Sequence, residues 1–193
     1  MSLRHAILGF LSHRPLSGYD LKKAFDGSVA HFWAADQAQI YRTLAGLSEE
    51  RLVEVERVAQ EVRPDRKLHH LTASGRAELV AWLQAPTVAP ARREPLLVKL
   101  FFVSEVAPEH LGVLLRTELA AAERELATLN AVATGTAPAF AAAPPTQALG
   151  PALTLWAGLA ATRAWRDWLV AALGTLEGDA PMAAVLAALA AGA

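Results

Sequence analysis

The sequence predicts a mainly α-helical protein of two parts, an N-terminal unit of helices closed by a small β-hairpin and a C-terminal unit of helices. Three observations predict it. Apolar residues recur at intervals of three, four and seven along several long segments, as the buried stripe of a helix requires. After Leu52 the pattern changes to alternation, the period of a strand. Between Gln84 and Pro95 the chain collects Pro86, Pro90 and Pro95 among small residues, which is linker composition.

Leu3, Ile7, Leu8, Phe10 and Leu11 make a first helix that stops near Pro15. Ser17 is placed to cap a second, which turns Leu21, Ala24 and Phe25 inward and Lys22 and Lys23 outward. From Asp36 a third helix carries Ile40, Leu44 and Leu47 on one face, leaving Gln37, Gln39, Tyr41, Arg42 and Thr43 on much of the rest. One face can pack while the other reads a groove.

Beyond Leu52, Val53, Val55 and Arg57 alternate with Glu54, Glu56 and Val58, and a second run closes on Leu68 and Leu71. Arg63, Pro64, Asp65, Arg66 and Lys67 join the two strands. Proline with aspartate favours a turn, so cations gather at or near its tip, where they can reach phosphates or a minor groove. Thr72 or Ser74 then caps a return helix through Ala77, Leu79, Val80, Trp82 and Leu83. Two supporting helices, a reading helix, a hairpin and a return helix follow the order of a winged helix-turn-helix. Its candidate DNA-binding residues are Lys22, Lys23, Gln37, Gln39, Tyr41, Arg42, Arg63, Arg66 and Lys67.

The linker sets the expected domains at 1–85, DNA binding, and 86–193, helical dimerisation and effector binding. Leu96, Leu97, Leu100, Phe101 and Phe102 make a short apolar helix that Pro95 can open. Pro108 and Glu109 open a longer one, whose Leu111, Leu115, Leu119, Ala122, Leu126 and Leu129 form a stripe built to meet another helix. Arg116, Glu118, Glu123, Arg124 and Glu125 read as its solvated face. The stretch 135–151, with Pro138, Pro144 and Pro145 among alanines, reads as a loop. A last helix over about 152–173 has apolar faces too broad for one neighbour, and a two-fold dimer would cover them. On it, Trp156, Trp165 and Trp168 could line, with Phe101 and Phe102, a pocket for a flat aromatic effector; filling a dimer core is the plainer use of indoles.

Composition bounds the function. The 193 residues are 53% apolar, which argues against disorder, and contain no cysteine, which removes disulfides and thiolate metal sites. Ala6 to Leu11 is too short for a signal peptide and is followed by His13, Arg14 and Pro15. No run reaches a membrane span, so a soluble, cytoplasmic protein is expected. Charge is nearly balanced, with 11 cations against 10 anions through Ala85 and 7 against 9 beyond it. Placement must therefore supply any basic face, with Glu49, Glu50, Glu54 and Glu56 expected away from it.

Other chemistry finds little support. His69 and His70 are neighbours on a strand, point to opposite faces and cannot share an ion, and His5, His13 and His31 have no ligand spacing, so no metal is expected. No serine sits in a nucleophile elbow, the glycines form no phosphate-binding run, and Glu109 before His110 is explained by the helix dipole. Neither catalysis nor a cofactor is expected.

Taken as an ordered set, LRHAILGFLSHRPLSGYDLKKAF, QIYRTLAGLSEERLV and RPDRKLHHLTASGRAEL, within residues 3 to 83, resemble the PadR family of bacterial transcriptional regulators. The resemblance implies that the helix carrying Ile40 and Tyr41 enters a major groove, that the Arg-Pro-Asp-Arg-Lys turn is the wing, and that helical C-terminal regions form a homodimer often responsive to small molecules. It implies a repressor with operator DNA, a second copy and an aromatic effector as partners. One departure is visible: the family commonly has a glycine before the Leu-Val that opens the hairpin, where this chain has Glu50 and Arg51. The alternatives are a winged helix used for protein contacts, and a dimeric regulator of the MarR type, in which the DNA domain lies between dimerisation helices.

Overall fold

The computed structural model describes residues 3–28, 35–59, 66–87, 93–105 and 108–178, with the isolated positions 183 and 187. The chain divides into two compact units, Met1–Pro90 and Ala91–Ala193.

In the first unit α1 (Leu3–Leu11), α2 (Gly18–Ser28) and α3 (Gln37–Glu49) precede the hairpin of β1 (Val53–Val58) and β2 (Arg66–Leu71), and α4 (Ala73–Gln84) returns. Each helix start has its chemical cause. The Ser17 hydroxyl accepts from the Asp20 N–H at 3.2 Å while the Asp20 carboxylate takes the Ser17 N–H at 3.1 Å, a reciprocal cap on α2. Asp36 caps α3 by accepting from Gln39 N–H at 2.7 Å. Of the two residues expected to cap α4 it is Thr72, whose Oγ1 accepts from Gly75 N–H at 3.0 Å.

The expected inward residues form one core: Ile7, Leu8 and Leu11 of α1 meet Leu21 and Phe25 of α2, Ile40, Leu44 and Leu47 of α3, and Leu79 of α4. Val80 and Leu83 of α4 face outward, because on a helix they lie about 100° round from Leu79 and Trp82. Arg4 ties α1 to the end of α3 and to α4 through Glu50 at 2.6 Å and Glu78 at 2.8 Å. His5 stacks on Trp82, with ring centroids 4.7 Å apart.

The strands are antiparallel, running from Val53 opposite Leu71 to Val58 opposite Arg66. Leu16, ahead of α2, bridges to His69 with paired backbone hydrogen bonds, which fixes the supporting helices to the hairpin. At the other end Gly75 lets α4 touch the strand entry, since a Cβ there would stand 2.2 Å from the Leu52 carbonyl oxygen.

In the second unit α5 (Pro95–Phe101) and a short 3-10 turn lead to α6 (Pro108–Ala142) and α7 (Pro145–Glu177). The long helices are antiparallel. Leu115 and Ala122 early in α6 meet Leu169 and Leu173 late in α7, with Leu96 of α5, while Leu126 and Leu129 meet Leu155 and Leu159.

The expected loop over 135–151 is corrected: α6 continues through Gly135 and Pro138 to Ala142, and α7 begins at Pro145, so only Ala143 and Pro144 lie between them. Alanine is the strongest helix former, Phe140 packs against the Leu155 and Leu159 cluster, and Pro145 stands at a first-turn position where its missing N–H costs nothing. The last helix is accordingly longer at both ends than the expected 152–173.

Candidate nucleic-acid interface

The buried spacing of Ile40, Leu44 and Leu47 leaves Gln37, Gln39, Tyr41 and Arg42 on the exposed side of α3. Tyr41 has a second task. Its ring covers Gly18, where a Cβ would come within 2.5 Å of Cε1, so the glycine admits the ring and the ring fixes α3 against the start of α2. Thr43 is turned back, donating its hydroxyl to the Gln39 carbonyl at 2.8 Å.

The hairpin adds cations by register. Arg57 stands directly opposite Lys67, and opposed residues in an antiparallel pair share a face. Like charges so placed repel unless an anion lies between them. With Tyr41, Ser48, Glu49, Val55 and His69 they line a depression of about 580 Å³ between α3 and the strands. Arg57 was not among the candidate residues read from the sequence, because its place opposite Lys67 follows from the strand register.

On the opposite face Glu56 meets His70 at 2.7 Å. Glu50 is spent on Arg4, whereas Glu49, expected elsewhere, lines the depression itself. His69 is buried with its Nδ1 3.2 Å from the Leu16 carbonyl, and burial pushes its pKa down, so the neutral ring is favoured.

The remaining candidate cations differ among themselves. Lys23 is exposed, while Lys22 is paired with Asp26 of its own helix, at 2.6 Å to Oδ2. Arg66 reaches Asp20 of α2 at 2.5 Å. Ser17, foremost, and Arg66 hold the Asp20 carboxyl below its usual range against the opposing effect of burial. Arg63, with Pro64 and Asp65 at the turn, lies outside the described residues, as do His31 and the middle of the linker.

In the second unit the candidate effector residues are divided between a depression at α5 and the surface of α7. Phe101 and Phe102 line an open depression of about 670 Å³ with Arg93, Glu94, Pro95, Leu97 and Val98. Trp156 is 66% exposed on α7, and Trp165, half-buried against the Leu169 cluster, stacks on Trp168 at 4.8 Å. Among the described residues no three His, Asp or Glu side chains cluster to hold a metal, and no helix is long and apolar enough to cross a membrane.

Residues 7–81 match the model of the Transcriptional regulator PadR-like family, and residues 92–177 match that of the Virulence activator alpha C-term. A probable transcriptional regulator of Mycobacterium tuberculosis, Rv1176c, is 44% identical over 92 residues; the match spans 48% of each protein, so the chain covers about half the length of that relative. The negative transcriptional regulator PadR of Bacillus subtilis is 30% identical over 129 residues, 66% of this chain and 71% of PadR. The crystal structure of that PadR with operator DNA has a TM-score of 0.77 at 27% identity, over 90% of this chain and 98% of the other. Its complex with p-coumaric acid has a TM-score of 0.74 at 28% identity, over 91% and 98%. The Vibrio cholerae virulence activator AphA has a TM-score of 0.75 at 30% identity, over 93% and 100%.

Proposed function

Since the chain belongs to the PadR-like family of transcriptional regulators, we propose that it is a cytoplasmic, non-enzymatic repressor that binds operator DNA as a homodimer and is released by a small aromatic effector. The observation that carries the DNA part is the meeting of two surfaces in one unit. The exposed Gln37, Gln39, Tyr41 and Arg42 of α3 adjoin a strand face where Arg57 and Lys67 stand opposed, two cations against the one carboxylate, Glu49, in the lining of the same depression. A phosphate would relieve that repulsion, and the helix beside it would then face base edges.

In this reading Arg57, Lys67, Arg42 and Lys23 fix the duplex in place, with Arg63 at the wing turn, while Gln37 and Gln39 discriminate bases. Lys22 and Arg66 contribute less than their charge suggests, because Asp26 and Asp20 already offset them. Lys67→Ala should weaken binding to every duplex alike, by about fivefold to tenfold at moderate salt for two lost phosphate contacts, whereas Gln39→Ala should change sequence preference. Anisotropy against the gene's upstream region and an unrelated duplex separates the two. The reverse pattern would reject the assignment of roles.

The dimer is supported by apolar surface that one chain leaves bare: Leu149, Leu153 and Trp156 recur at helical spacing on α7 and all are exposed. A solved relative was crystallised with p-coumaric acid, and Phe101, with Arg93 in the same depression to meet a carboxylate, is the proposed contact for such a ligand here, with Trp156, Trp165 and Trp168 as further candidates. Titration of tryptophan fluorescence with phenolic acids tests this; no change across the panel would remove the phenolic class.

A further inference from the structure

Asp20 stands in the first turn of α2, and one atom, Oδ2, accepts three hydrogen bonds: from Ser17 N–H at 3.1 Å, from the Ser17 hydroxyl at 2.5 Å and from Arg66 Nη2 at 2.5 Å. Capping α2 needs only the first of these, with the return bond from Asp20 N–H to the Ser17 hydroxyl. The third crosses 46 positions of sequence to take hold of a wing cation at the first residue of β2. The pair is open to solvent, with 47% of the Arg66 side chain and 27% of Asp20 exposed. Gly18, in the same first turn of α2, carries the Tyr41 ring, so the helix that holds Asp20 is packed directly against α3.

We propose that Asp20 is an affinity-limiting residue of the DNA interface, a carboxylate that competes with backbone phosphate for Arg66. The inference rests on the DNA-binding reading above. A phosphate that reaches Arg66 must share the guanidinium with Asp20 or displace it, and in both cases a fixed negative charge faces the incoming one. Base-edge contacts from Gln37 and Gln39 do not feel that charge to the same degree. Asp20 therefore restrains the part of binding that is the same for all sequences, and it makes Arg66 a nearly neutral residue in the free protein.

The test uses the full-length protein, wild type, Asp20→Asn, Arg66→Ala and the double variant, titrated against fluorescent duplexes of the gene's own upstream region and of unrelated sequence at several salt concentrations. Asparagine keeps an oxygen for the Ser17 cap and removes the charge, with an amide NH2 in place of the second oxygen; Asp20→Ser removes the charge with a different, shorter side chain and guards against a folding defect peculiar to one variant. Asp20→Asn is expected to tighten binding to both duplexes by about twofold to fivefold per subunit. It should make the log-log salt slope more negative by roughly 0.5–0.9 per subunit. Arg66→Ala should change little in wild type and should abolish the gain in the Asp20→Asn background.

Unchanged affinity and slope in both Asp20 variants would overturn the proposal. So would weaker binding by variants with the wild-type thermal midpoint, since Asp20 would then be holding Arg66 in place for DNA. Absence of binding by folded wild type at low salt would instead overturn the DNA-binding reading itself.

Discussion

The φ of 57° at Arg51 puts an L side chain in the left-handed region, where its Cβ crowds the following carbonyl at a cost of about 1–2 kcal/mol. This residue turns the chain from the end of α3 into β1, and the turn is held by Leu52 N–H donating to the Leu47 carbonyl at 2.9 Å. The sequence shows Glu50 and Arg51 where the resemblance leads one to expect a glycine ahead of Leu52 and Val53, and the chain keeps the turn and bears the strain at Arg51. Arg51→Gly should raise the unfolding free energy by about 0.5–1 kcal/mol once the greater freedom of glycine in the unfolded chain is subtracted. Urea denaturation measures it, and a destabilised variant would show that the Arg51 side chain is needed in its own right.

A second residue-scale consequence is pH dependence. His69 and His5 are both held below the ordinary value of about 6.5, chiefly by burial. The unfolded chain therefore binds protons first as pH falls through about 6.5, so stability present above that pH is lost progressively below it. Urea midpoints at pH 7.5, 6.5 and 5.5 should decline in that order, and His69→Gln should flatten the decline. A midpoint independent of pH over this window would contradict the burial of the two imidazoles.

Among the elements, the joint of α4 with β1 is the least tolerant of added volume. Gly75→Ala would bring a methyl against the Leu52 carbonyl, backbone that cannot swing aside, and should cost about 1–3 kcal/mol in thermal or urea unfolding. A neutral substitution would mean that α4 can pull away without loss. Elements were legible in the sequence wherever a single period governs them: Ile40, Leu44 and Leu47 announce α3, Ser17 announces the start of α2, and Thr72 or Ser74 that of α4, where the structure selects Thr72. They were misread at 135–151, where proline and glycine signal a break, because the alanines and the packing of Phe140 across α7 outweigh that signal. Partnerships were hidden too. The opposition of Arg57 and Lys67 depends on a register set by the turn between the strands, and the hold of Asp20 on Arg66 on tertiary approach, neither of which a local pattern carries.

For the whole molecule, a formal charge of -1 looked unsuited to a polyanionic partner. Placement changes that reading without changing the sum. Glu50 is neutralised by Arg4 and Glu56 meets His70 on the far face of the hairpin, while Arg57, Lys67, Arg42 and Lys23 have no ion-pair partner among the described residues. What remains is a small set of cations, of which Arg57 and Lys67 share a depression with Tyr41 and Glu49 of α3, and this fits binding of modest electrostatic strength. The apolar surface left bare on α7 belongs to the same scale, since the proposed second copy would cover it and double the contacts with DNA.

The measurement that tests this account most directly is the salt dependence of binding to the gene's upstream DNA, read by anisotropy with the stoichiometry fixed by titration at high concentration. Two subunits per site with a log-log slope of about -4 to -7, from roughly two to four phosphates neutralised by each, is the predicted result. A slope near zero under specific binding, or no binding at low salt by a folded dimer, would contradict it.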